Sequence, residues 1–247
     1  MGRSAMAQPP LDPSRTLTPP SAKEPIPDFV DEILSLPDYV SPSHWLLLVM
    51  DAIFGFNPAE QAAEWFAGDW HGVATSASAF RNLAAFEHDL SANLTAAMRD
   101  AKVSWEGNAA ESAGKYFDGL TQAIGAHSAA LTNLATQYDA TAAGILGAGK
   151  ATVSALETLA DVLLDMAIDT AATAALSETG VAVVIGGAID GYLAYKAVHT
   201  WQKVVDLHGK VIAAAEGLVG GITGEMATLR GLADTPIPGP YDNALVG

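Results

Sequence analysis

Two long runs of apolar residues, each repeating at alternating steps of three and four, lie on either side of a five-residue break. Upstream the run is Phe66, Trp70, Val73, Ala77, Phe80, Ala84, Leu90, Leu94, Ala97 and Ala101, missing one beat at Glu87. Downstream it is Ala113, Phe117, Leu120, Ile124, His127, Leu131, Leu134, Tyr138 and Ile145. Such spacing puts one apolar stripe along each helix, a coiled-coil-like seam. Seams of this length joined by so few residues fold back on each other as an antiparallel hairpin.

The break itself is Ser104-Trp105-Glu106-Gly107-Asn108. Arg99 and Lys102 sit where the last turn of the first helix falls, and cations there complement the exposed carbonyls. Gly107 is the residue type that closes helices in the left-handed conformation. Asn108 with Glu111 three residues on reads as a variant capping box for the second helix. At the far end, Asn57-Pro58-Ala59-Glu60 combines a cap, a proline at the first position and an early glutamate, a strong helix start. With no proline between Pro58 and the break, the spacing predicts one helix of roughly 45 residues, about 65–70 Å long.

Composition agrees with close-packed helices. Of 247 residues, 50% are apolar, much of that alanine, and 7% are aromatic. Small side chains at that density argue against a sandwich or barrel. The net charge is −16 with 12 basic residues, so the clustered Lys and Arg that nucleic-acid binding needs are missing. There is no cysteine, hence no disulfide, thiol nucleophile or cysteine-based metal site. No basic start followed by an apolar core marks a conventional signal peptide. The most apolar stretch, about 159–198, is interrupted by Asp161, Asp165, Asp169, Glu178, Asp190 and Lys196 and contains no clean membrane span.

The expected architecture is all-α: a long antiparallel hairpin plus additional apolar helices, together an elongated bundle. Residues 1–27, rich in proline, are expected to be a disordered tail. Residues 28–56 hold two short helices, the first capped by Asp28 and stopped by Pro37, the second carrying the apolar run 45–50, read as core, the alternative being a membrane-surface helix although the run lacks a Lys/Arg flank. Residues 58–151 form the hairpin, with Gly144, Gly147 and Gly149 loosening its end. Residues 152–232 are a further helical region, turning at 177–180 and closing with a seam of Trp201, Val204, His208, Val211, Ala215, Leu218, Ile222 and Leu229. Residues 233–247, with Pro236, Pro238 and Pro240, have linker composition.

Little in the chain points to catalysis. The histidines, His44, His71, His88, His127, His199 and His208, are scattered, with no nucleophile–base pair or ligand spacing among them. His127 and His208 fall on seams and read as interior residues, His127 finding a partner such as Asn82, Asn93 or Ser91 on the facing helix. Residues 144–151 almost spell a phosphate-binding loop, but Ala151 replaces its hydroxyl residue and no strand precedes it. No cofactor, metal or catalytic group is expected. Glu157, Asp161, Asp165 and Asp169 stand at successive steps of four, a solvated outer face or a candidate docking stripe for a basic partner or divalent cations.

A Trp-x-Gly bend between two long antiparallel helices resembles the WXG helical-hairpin family of type VII secretion, on Trp105, Glu106 and Gly107. The likeness covers the hairpin, about two-fifths of the chain. It implies a non-enzymatic protein exported without a cleaved signal peptide by a membrane ATPase machine. It also implies pairing with a small helical hairpin, or self-association, into a four-helix bundle, either as a long member or as the targeting module of a larger effector. Trp105 and Gly107 would then form a recognition tip; the alternative is that Trp105 plugs the end of the bundle. The family's accompanying YxxxD/E motif is not matched: Tyr116, Tyr138, Tyr192, Tyr195 and Tyr241 are followed four residues later by Leu120, Ala142, Lys196, His199 and Leu245. A different reading is a membrane-active or oligomer-forming protein built on the glycine-rich apolar segment 179–195.

Overall fold

The computed structural model describes residues 12–36, 44–175 and 191–234, and every element among them is helical. These are α1 (Phe29–Leu34), α2 (His44–Ile53), α3 (Pro58–Phe66), α4 (Trp70–Ala101), α5 (Asn108–Ala175) and α6 (Gly191–Asp234), preceded by a single 3-10 turn, Pro13–Thr16. The expected all-α fold is therefore present. The chain divides into two units, one of Met1–Glu24, Gly72–Ala140 and Gly217–Gly247, the other of Pro25–His71 and Thr141–Glu216.

In the first unit, α4 and the first half of α5 run antiparallel. Arg81 pairs with Asp139, Phe80 meets Tyr138 with ring centroids 5.3 Å apart, and Ser91 Oγ donates to the Thr121 carbonyl at 3.2 Å. From residues 80–81 to 91 on α4 the partners on α5 run back from 138–139 to 121, the mark of a hairpin. Alanine dominates the buried positions: Ala77 and Ala84 on α4, Ala130 and Ala135 on α5, beside Leu131 and Leu134. Nearer the bend, Phe86, Leu90 and Leu94 on α4 and Phe117, Leu120 and Ile124 on α5 are only half-buried.

The N-terminal segment is not the disordered tail its prolines suggest, at least from residue 12 on. Asp12 caps the 3-10 turn, accepting from the amide and hydroxyl of Ser14 at 3.0 and 2.7 Å, bonds that hold its carboxyl below the usual range. Asn82 on α4 donates to the Thr18 carbonyl at 2.9 Å and Ser78 accepts from the Ser21 amide at 3.3 Å. Proline removes donors but leaves carbonyls free, and α4 side chains bind this backbone.

The second unit has the denser core. Asp28 caps α1, accepting from the amides of Val30 and Asp31. Asn57 caps α3, accepting from the Ala59 amide at 3.0 Å while its own amide group donates to Glu60. Phe29 and Phe66 pack edge-to-face at 5.7 Å, both almost fully buried. Ile145, Leu156, Leu159, Leu163 and Met166 of α5 are buried, as are Leu46, Val49 and Met50 of α2, whereas Leu47 is exposed.

Two helix boundaries differ from the spacing-based expectation. The single helix from Pro58 is broken at 67–69: α3 ends at Phe66, and the Trp70 indole turns back to donate to the Phe66 carbonyl at 2.9 Å. Gly68 makes room for that ring, since a Cβ there would lie 2.9 Å from it. Conversely, α5 is continuous through Gly144, Gly147 and Gly149. Gly149 serves contact: the Phe29 ring lies over it, and a Cβ would come within 2.1 Å. The turn expected at 177–180 lies outside the described residues.

Candidate functional site at the Trp-x-Gly bend

After Ala101 the chain tightens before it reverses. Val103 and Ser104 donate to the carbonyls of Asp100 and Ala101 at 3.2 Å, and the Trp105 amide also reaches Ala101 at 3.0 Å. These bonds satisfy carbonyls that the helix end would leave open. Gly107 has φ +94°, one of two positive-φ residues among those described, the other being Gly55. Its carbonyl accepts the first α-helical bond of α5, from the Glu111 amide at 3.1 Å. The left-handed residue therefore caps the start of the second helix; it does not close the first. Asn108, expected as the cap, is instead the first residue of α5.

Trp105 is 41% exposed and Val103 82% exposed. The indole borders an open groove whose other walls include Lys102, Glu111, Lys115 and Asp118. Lys102 reaches across the bend to Gly114, where a Cβ would meet its Nζ at 2.7 Å. The groove is shallow and mixed in charge, suited to a partner's surface and not to enclosing a small molecule.

The remaining sequence candidates fall elsewhere. Glu157, Asp161, Asp165 and Asp169 are all exposed on the second half of α5. Among the described residues no group of three or more His, Asp or Glu is placed to hold a metal ion. Residues 144–151 are plain helix, so they form no phosphate loop. Most of the segment 179–195 lies outside the described residues, and no described helix is long and apolar enough to cross a membrane.

Both seam histidines have partners that periodicity did not name. His127 Nδ1 lies 2.8 and 3.0 Å from the two carboxylate oxygens of Glu87, not against Asn82, Asn93 or Ser91. Glu87 is the beat missing from the upstream seam, and that gap was the available signal. His208 stacks on Trp65, centroids 4.4 Å apart and planes within 6°, and Trp65 in turn stacks on Trp201 at 5.4 Å. Burial against the indole holds the imidazole pKa below its ordinary value.

No protein-family model matches the sequence, no curated protein matches it, and no solved structure matches the fold.

Proposed function

We propose that the chain is a non-enzymatic targeting and partner-pairing module of the type VII secretion kind, with the Trp105–Gly107 bend as its recognition tip. The observation that carries this reading is the exposure of Trp105. An indole used only as a plug would be buried, and this one keeps 41% of its surface exposed at a tip flanked by Val103 and Lys102. Pairing draws support from the half-buried Phe86, Leu90, Leu94, Phe117, Leu120 and Ile124, which a second hairpin would cover in a four-helix bundle. Export itself rests on the resemblance of Trp105-Glu106-Gly107 in its hairpin setting. A partner would supply the unmatched tyrosine motif, and a secretion ATPase would be the receptor.

The test is Trp105→Ala, assayed for export in a host with the machinery and for thermal stability. Truncating a half-exposed indole is expected to cost about 1 kcal/mol, or about 2–4 °C in Tm, while export is lost. Export that continues unchanged, or that falls only in step with folding, would refute recognition at the tip. Co-expression with small hairpin proteins, followed by size exclusion with light scattering, tests pairing separately.

A further inference from the structure

One face of α6 carries an unusual concentration of the chain's few cations. Lys196, Lys203 and Lys210 follow each other at steps of seven, all exposed, and none pairs with a carboxylate among the described residues. Beside them stand Tyr192 and Tyr195, 69% and 67% exposed, the latter stacked on His199 with planes within 2°. Large exposed aromatics next to an unpaired lysine row mark an interaction face more than a solvated one.

The same unit carries the complement. On α5, Glu157, Asp161 and Asp165 are exposed and pair with no cation among the described residues, and Asp169 continues their row. Leu164 and Ile168 are exposed alongside it, Ile168 at 58%. At the helical rise the lysine row spans about 21 Å, and the acidic row about 12 Å from Glu157 to Asp165. Like charges four residues apart repel by a few tenths of a kcal/mol per pair, a cost that facing lysines would relieve.

We propose that the Lys196–Lys203–Lys210 face of α6 docks a second copy of this chain through that copy's Glu157–Asp161–Asp165 face. The two faces are opposite in sign, apart from Asp206 between Lys203 and Lys210, and each has large exposed apolar or aromatic residues alongside. An anionic lipid surface would meet the lysines but leave the exposed acidic row without a counterpart.

The experiment is sedimentation velocity on the purified full chain over a concentration series at low and high salt. Wild type is expected to self-associate, more weakly at high salt. The triple variants K196E/K203E/K210E and E157K/D161K/D165K should each weaken association about tenfold, as three exposed pairs predict. Mixing the two variants should restore a complex between them, a rescue that misfolding cannot imitate. A chain that stays monomeric at low salt overturns the proposal. So does association indifferent to both charge reversals, or variants that fail to rescue each other. Flotation of wild type with phosphatidylserine vesicles, lost in the lysine variant without any self-association, would assign the face to membranes and also overturn it.

Discussion

Glu87 and His127 meet across the two helices of the hairpin, one imidazole nitrogen within 3.0 Å of both carboxylate oxygens. Each occupies an interior beat of an otherwise apolar seam, so the two polar interruptions meet each other. The Ser128 hydroxyl donates to the Ala84 carbonyl at 2.8 Å one turn away. The pair is only partly shielded, His127 keeping 44% of its side-chain surface and Glu87 21%.

Replacing one partner leaves the other without its bond, whereas replacing both extends the apolar seam. Glu87→Leu or His127→Leu alone is expected to cost about 0.5–1.5 kcal/mol, and the double variant less than the two costs combined. Urea unfolding of the four proteins checks this; strictly additive effects would mean the contact contributes nothing.

Gly149 has no room for a methyl group beneath the Phe29 ring. Gly149→Ala drives a Cβ into the Phe29 ring, and a loss of about 1–3 kcal/mol is expected. Adding Phe29→Leu should recover part of it. A Gly149→Ala protein as stable as wild type would show that α1 does not hold its place on α5.

Gly107 offers the opposite case, because no atom lies within 4 Å of a Cβ built there. Its requirement is purely conformational, set by φ +94°. Gly107→Ala should therefore cost about 1–2 kcal/mol, with Gly107→Asn milder because asparagine tolerates positive φ. Equal melting curves for all three would contradict this backbone geometry.

The His208 imidazole titrates against stability. Its pKa is lower in the folded chain than the ordinary 6.5, so below pH 6.5 the unfolded chain binds the proton more readily. Stability from this site is full above 6.5 and is lost as pH falls through the folded pKa. His208→Phe keeps a ring on Trp65 and removes the titration. The difference in unfolding free energy between the two proteins should change over that window, and a pH-independent difference would exclude His208 as its source.

The hairpin and its bend were legible because three–four spacing and a glycine are local signals. The break at Gly68 was not, since Phe66 and Trp70 keep the beat four residues apart while the Trp70 indole closes α3 from outside the pattern. Gly149 misled in the other direction: a helix-weakening residue by propensity is held by the Phe29 ring above it, a tertiary contact that spacing does not reveal. Trp105 was identifiable by residue type and place, but its exposure depends on how the turn aims it. The lysine face of α6 escaped notice because several apolar stripes run along that helix and only packing decides which face is left outward.

The alanine content of the hairpin has a consequence for its alignment. Ala77, Ala84, Ala130 and Ala135 present nearly the same surface whichever turn of the facing helix they meet. Such an interface resists separation better than it resists sliding. The polar contacts Glu87–His127, Ser128–Ala84 and Arg81–Asp139 act like the teeth of a key, each matched at one offset of the two helices and lost one turn along. Stripping them should leave a protein with its helicity intact and its NMR spectrum broadened by exchange among offsets; a spectrum as sharp as wild type would show that the alanines alone choose the alignment.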